Sequence, residues 1–117
     1  MKIKILIPVY NDFQSVSKLI TNINSIVFNL ENEFSIILVN DSSQEKPEFE
    51  ISKIDKIKSI KIINMKENKG HARCNAAGLK YIFENEEFDY VIPMDGDGED
   101  RPDEILKFIE FLKYDNS

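Results

Sequence analysis

The chain has 117 residues, 42% of them hydrophobic, 31% charged and 10% aromatic, with a formal net charge of −6. That size suits one domain, residues 1–117, with a core of its own. The single cysteine, Cys74, excludes an intrachain disulfide framework and fits a reducing compartment, and no apolar run approaches the roughly 18 residues of a membrane span.

Lys2 to Val9 predicts a buried strand, with Ile3, Ile5, Leu6, Ile7 and Val9 almost continuous before the polar Asn11-Asp12. Val16, Leu19, Ile20, Ile23, Val27 and Leu30 then fall on one helical stripe, and Asn11 or Asp12 is its expected cap. Ser35 to Val39 forms the second strand and stops at Asn40-Asp41-Ser42-Ser43. Within 44–58, Pro47 opposes an early helix, while Ile51, Ile54 and Ile57 at threefold spacing allow a short one. Ile60 to Ile63 gives a third strand. Asn68-Lys69-Gly70 leads into a helix to about Phe83, lined with small residues at Ala72, Ala76, Ala77 and Gly78. Asp89 to Met94 is a fourth strand, and the loop 95–100 follows it. Pro102 marks the first turn of a last helix, whose apolar face is Ile105, Leu106, Phe108, Ile109 and Leu112.

Strands that are apolar on both sides and alternate with helices predict an α/β fold. The expected form is a Rossmann-like α/β/α sandwich with a mostly parallel sheet. Ligands in such sheets bind outside the carboxyl ends of the strands. Asn11-Asp12, Asp41-Ser42-Ser43 and the loop after the fourth strand should therefore converge on one edge.

The charge is unevenly spread. Between 84 and 104 there are ten acids against Arg101 alone, whereas 45–69 carries seven lysines against five acids. Such a surface is a poor partner for nucleic acid, which wants basic patches, and a natural one for a hard cation. In Asp95-Gly96-Asp97-Gly98-Glu99, alternate carboxylates can face one point, where Mg²⁺ or Mn²⁺ would relieve their repulsion and hold a diphosphate. A calcium EF-hand is excluded, because Asp100 stands at the required glycine and Leu106 at the terminal glutamate. An isolated acid-x-acid is usually a solvated turn; its place directly after a buried strand points to a metal.

Asp41-Ser42-Ser43 suits hydrogen bonding to a base or ribose, although a plain turn would look the same. No Gly-x-Gly-x-x-Gly follows the first strand, so a dinucleotide site is not expected. Lys69, Gly70 and Arg73 stand at a helix start, where free N–H groups favour anions. His71 is the only histidine, which excludes catalytic triads and multi-histidine metal sites.

Taken in order, Pro8-Val9-Tyr10-Asn11-Asp12, Asn40-Asp41-Ser42-Ser43, Asn68-x-Gly70 with Asn75 and Gly78, and Pro93-Met94-Asp95-Gly96-Asp97 resemble the N-terminal half of family-2 glycosyltransferases. The run 95–104 is most similar to the dolichyl- and polyprenyl-phosphate sugar transferase branch. The resemblance covers nearly the whole chain and implies a GT-A fold. It also implies metal-dependent transfer from a UDP- or GDP-linked sugar to a polyprenyl phosphate or cell-surface glycan.

By that resemblance Pro8, Tyr10 and Asp12 line the nucleotide, with Asp12 in place of the more usual glutamate. Asp41 contacts the base with Ser43 beside it, and Gly70 and Arg73 approach the nucleotide and its phosphates. Asp95 and Asp97 form the metal pair that also meets the nucleotide, and Glu99 stands where the related branch often has glutamine. The acceptor half and the general base are expected outside this chain, which reads as a donor-binding part of a longer enzyme. A cytoplasmic setting is expected, at the membrane face for a full-length form, and an exposed apolar face would favour self-association. The competing expectations are a receiver-like signalling module and a nucleotide-binding domain without turnover.

Overall fold

The computed structural model describes residues 1–44, 54–95 and 102–115, and among these it has four parallel strands and three helices. In chain order they are β1 (Lys2–Val9), α1 (Phe13–Ile26), β2 (Glu33–Asn40), β3 (Ile57–Asn64), α2 (His71–Asn85), β4 (Tyr90–Pro93) and α3 (Glu104–Asp115). The sheet order is β3-β2-β1-β4. β1 and β2 are its inner strands, and that is why both are buried from their second residue to their last.

Alternation along β1 sends Ile3, Ile5, Ile7 and Val9 to one face and Leu6 to the other. On the first face they meet Val16, Ile20 and Ile23 of α1 and Ile105 and Ile109 of α3. On the second, Leu6, Ile37 and Val39 meet Cys74 and Ile82 of α2. The helices thus cover both faces, as the sandwich expectation requires.

Close approach of α2 to the sheet depends on Gly78. A Cβ at that position would collide with the Leu6 Cδ1 methyl and sit 3.0 Å from Val39 Cγ2. Lys4 is the exception to the apolar reading of β1. Only 7% exposed, it reaches across the α2 face to Glu86 at 3.7 Å, and Glu86 is shared with Lys61 at 3.0 Å.

Both strand prolines sit where their missing N–H costs nothing. Met94 N–H donates to Leu6 O and Asp41 N–H to Val9 O, so even residues of β1 point their backbone at β4 and odd ones at β2. Pro8 faces the β4 side beyond the last pair, Leu6 with Pro93. Pro93 itself lies on the outer edge among the described strands.

Two sequence expectations change. Ile57 opens β3 opposite Phe34 rather than ending a helix, and a register shift between Phe34 and Ser35 moves Ser35 onto Ser59. A threefold spacing of isoleucines fits a half-exposed edge strand as easily as a short helix when only three residues carry the pattern. Ile51 lies outside the described residues. Pro102 precedes α3 instead of occupying its first turn: its carbonyl accepts from Ile105 N–H, and Glu104 supplies the first-turn acid.

Asn24, 5% exposed on α1, ties the start of β3 in place. Its Oδ1 accepts from Lys56 N–H at 2.7 Å and Ile57 N–H at 3.1 Å, while its Nδ2 donates to Asp55 at 3.0 Å. Among the described residues no helix is long and apolar enough to cross a membrane.

Candidate functional site at the carboxyl edge of the sheet

Because all four strands run parallel, Val9, Asn40, Asn64 and Pro93 end on the same edge. The strand order reverses between β1 and β4, the place where open α/β sheets bind ligands. The loops after β1 and β2 meet there, together with Asp95 and the N-terminus of α2, while residues 96–100 of the third expected loop lie outside the described residues.

Asp41 organises that edge. It is 1% exposed, and its two oxygens accept from Lys69 N–H at 2.7 Å and Gly70 N–H at 2.9 Å. Burial alone would raise its pKa, but the backbone donors of Lys69 and Gly70, the Cys74 thiol and the charge at His71 outweigh it. The carboxyl is therefore held below its ordinary value. A side chain so placed is a clamp on the 69–70 backbone, a role its strand-end position did not announce.

The same contact acts on Cys74, which is fully buried. Burial first, then the hydrogen bond and negative charge of Asp41, push the thiol up to about 11. A two-unit rise from 9.0 leaves about a hundredfold less thiolate at pH 8. Native alkylation by iodoacetamide should accordingly be slower than that of the urea-unfolded chain by about that factor or more, as read by intact mass. Native and unfolded rates within threefold of each other would contradict the Asp41–Cys74 contact.

Gly70 takes φ 86° and ψ 163°, a region essentially reserved for glycine, and nothing lies within 4 Å of where a Cβ would be. Its use is conformational, to turn the chain into α2. Gly70, the N-cap of that helix, has no side chain to cap it. The intrahelical ladder begins with Cys74 N–H on the Gly70 carbonyl, so the N–H groups before it have no intrahelical partner. Arg73 is exposed on this turn, and Lys69 lies just before it, with its ammonium 3.0 Å from Glu67.

Asp95, the first residue after Met94, faces this helix start. His71 Nδ1 stands 3.7 Å from Asp95 Oδ1, and both side chains are half-exposed. Its carboxylate is a hard oxygen donor beside an anion-favouring helix end, the chemistry a divalent cation and a diphosphate both need. Asp97 and Glu99 lie outside the described residues. Among those described, no cluster of three metal-ligating side chains forms.

The first loop divides its roles. Pro8 is buried within β1, Tyr10 is 46% exposed at the mouth, and Asp12 caps α1, its Oδ1 accepting from Ser15 N–H at 3.2 Å. Ser43 Oγ accepts from Asn11 N–H at 2.8 Å. A cavity of about 500 Å³ lies at the opposite, amino edge between Lys2, Glu33, Glu87 and Asp89. Three of its four acids, Glu33, Glu87 and Asp89, are already engaged by Lys2 and Lys58, with Glu31 the fourth, so it is a weaker candidate than the carboxyl edge.

The family model for glycosyl transferase family 2 matches residues 4–117. The chain belongs to glycosyltransferase family 2. An uncharacterised glycosyltransferase of Synechocystis sp. is 31% identical over 113 residues, which cover 94% of this chain and 34% of that protein. Among solved structures, S. aureus TarS 1–349 with UDP-GlcNAc superposes at a TM-score of 0.70 and 20% identity, over 97% of this chain and 32% of TarS. Its complex with UDP gives 0.62 at 20% identity, over 97% and 32% of the two chains. The fold of this family-2 domain is thus the parallel-sheet, Rossmann-like GT-A fold. The chain spans about a third of the length of the relatives it matches.

Proposed function

We propose that the chain is the donor-binding part of a glycosyltransferase and holds a nucleoside-diphosphate sugar across the carboxyl edge of the sheet. One observation carries this reading. The N-terminus of α2, turned by Gly70, clamped by Asp41 and without a side-chain cap among the described residues, stands against Asp95 beside the β1–β4 switch. Open N–H groups and the helix dipole favour a diphosphate there, and Lys69 and Arg73 add positive charge. The base then falls toward Tyr10 and Ser43, with Pro8 behind them in β1.

Uridine is the favoured base, supported by the UDP and UDP-GlcNAc complexes of TarS, and guanosine is the competitor. Asp41 serves this site from beneath, by fixing the Gly70 turn, and Asp12 serves it by starting α1. Asp95 offers one carboxylate to Mg²⁺ or Mn²⁺, and Asp97 and Glu99 would complete the set. A cation so held supplies neutralisation of the leaving diphosphate. The acceptor side and the general base belong to the rest of a longer protein. Polyprenyl phosphate, as in the branch the motifs resemble, and cell-surface glycan are the acceptors in view, with the cytoplasmic membrane face as the setting.

The receiver-like alternative does not fit the topology. Receiver folds flank the first strand with the second and third, whereas here β1 lies between β2 and β4.

Isothermal titration with UDP and with GDP, each with and without Mn²⁺, tests the reading. UDP should bind only with the metal, and Asp95→Asn should weaken that binding about tenfold or more, the scale of one lost charged contact. Absence of metal-dependent binding for both nucleotides would overturn the proposal.

A further inference from the structure

A chain of hydrogen bonds crosses the ends of three strands beside the clamp described above. Asn40 Nδ2 donates to Asn64 Oδ1 at 3.0 Å, joining β2 to β3, and Asn40 Oδ1 accepts from Ser43 N–H at 3.0 Å. Ser43 Oγ accepts from Asn11 N–H at 2.8 Å, and Asn11 Oδ1 accepts from Gln44 N–H at 2.7 Å. Asn11 therefore grips the β2 loop twice, once through its backbone and once through its side chain.

The backbone marks the same place. Asn11 at φ 49° and Ser42 at φ 60° are the positive-φ non-glycine residues of the described chain; Asn11 belongs to this belt and Ser42 directly precedes Ser43 in it. The left-handed region costs an ordinary L-residue about 1–2 kcal/mol, and asparagine is among the few that enter it readily. Strain of this kind persists where surrounding contacts hold it, and it collects at ligand-binding sites. Asn11 is exposed, so its hydrogen bonds contribute modestly to the fold. What they do determine is the gap between the β1 and β2 loops, and with it the place of the neighbouring Tyr10, 46% exposed at the mouth.

We infer that Asn11 is a positioning residue for the nucleobase: it latches the β1 loop to the β2 loop and so holds Tyr10 and Ser43 as one base-facing surface. The inference rests on the donor-binding reading above. It separates base recognition, governed by this latch, from diphosphate binding, governed by α2 and Asp95.

UDP and GDP share a diphosphate, so the ratio of their affinities isolates the base. Both are titrated with Mn²⁺ into the 117-residue chain, wild type, Asn11→Ala and Asn11→Asp, with thermal midpoints recorded alongside. The wild type should discriminate between the two, and Asn11→Ala should compress that ratio about fivefold, the scale of one lost hydrogen bond. Asn11→Asp keeps the acceptor for Gln44 and tolerates the left-handed backbone, so it should retain the wild-type ratio. It also keeps the test open should the alanine variant not fold. An unchanged ratio in Asn11→Ala, loss of the ratio in Asn11→Asp, or no discrimination by the wild type would each overturn the latch. Absence of any nucleotide binding by the wild type would instead remove the donor-binding reading and the latch together.

Discussion

Asp41→Ala should destabilise the protein by about 3–5 kcal/mol, because two backbone N–H groups each lose a hydrogen bond to a charged acceptor. Truncation leaves Lys69 N–H and Gly70 N–H at a part-buried turn, and the Cys74 thiol without its acceptor. Asn at this position keeps one acceptor but points an NH₂ group at an N–H donor, so Asp41→Asn should lose about 2–3 kcal/mol. Urea unfolding at neutral pH measures both.

The pH dependence gives a second test of the same contact. The native carboxyl titrates below its ordinary value of 3.8, so the unfolded chain binds its proton first as pH falls. The stability that Asp41 supplies is complete above 3.8 and drains away below it, as the native group in turn takes up its proton. The wild-type advantage over Asp41→Ala should shrink over that acid range. A difference that stays constant down to pH 2.5 would show that the charge of Asp41 does not hold the turn.

Gly78→Val should lower stability by about 3 kcal/mol, at the upper end of the usual cost of overpacking a core. The first added carbon already overlaps Leu6 Cδ1 and lies 3.0 Å from Val39 Cγ2, before either valine methyl is placed. Leu6 and Val39 are both fully buried on inner strands, so neither has open space to retreat into. Alanine isolates the collision from helix propensity. It regains about 1 kcal/mol over glycine in a helix and should end about 1 kcal/mol less stable than wild type.

The displacement has a functional reading as well. Lifting α2 from the sheet moves its N-terminus away from Asp41, so Gly78→Val should weaken UDP binding even where the protein remains folded. A valine variant as stable as wild type in urea would contradict the close helix–sheet contact.

The inner strands were legible because burial on both faces leaves an uninterrupted apolar run, as in Ile5-Leu6-Ile7 and Ile36-Ile37-Leu38-Val39. α1 was legible from its single apolar stripe, and the family from four motifs in order. β3 was half legible: as an edge strand with exposed Lys58 and Lys61 it carries a mixed pattern, and Ile57 could be read either way. Lys4 passed unnoticed, since its partner Glu86 lies 82 positions along the chain, beyond any local periodicity.

The candidate site divides along the same line. Residue chemistry and spacing alone put Tyr10, Ser43, Gly70, Arg73 and Asp95 at strand ends or a helix start, because parallel strands with buried faces must end together. Local rules are short-ranged, and they settle elements, caps and the common edge. They do not say which carboxylate stays open to solvent and which one holds the backbone. Asp41 and Asp95 look alike in the sequence. Folding buries Asp41 against donors 28 and 29 residues away, while Asp95 remains half-exposed beside His71. Asn11 likewise acquires its partners 32 and 33 residues away. The cost of burying an unpaired charge or polar group decides these pairings, and that cost arises only once the sheet has brought distant loops together.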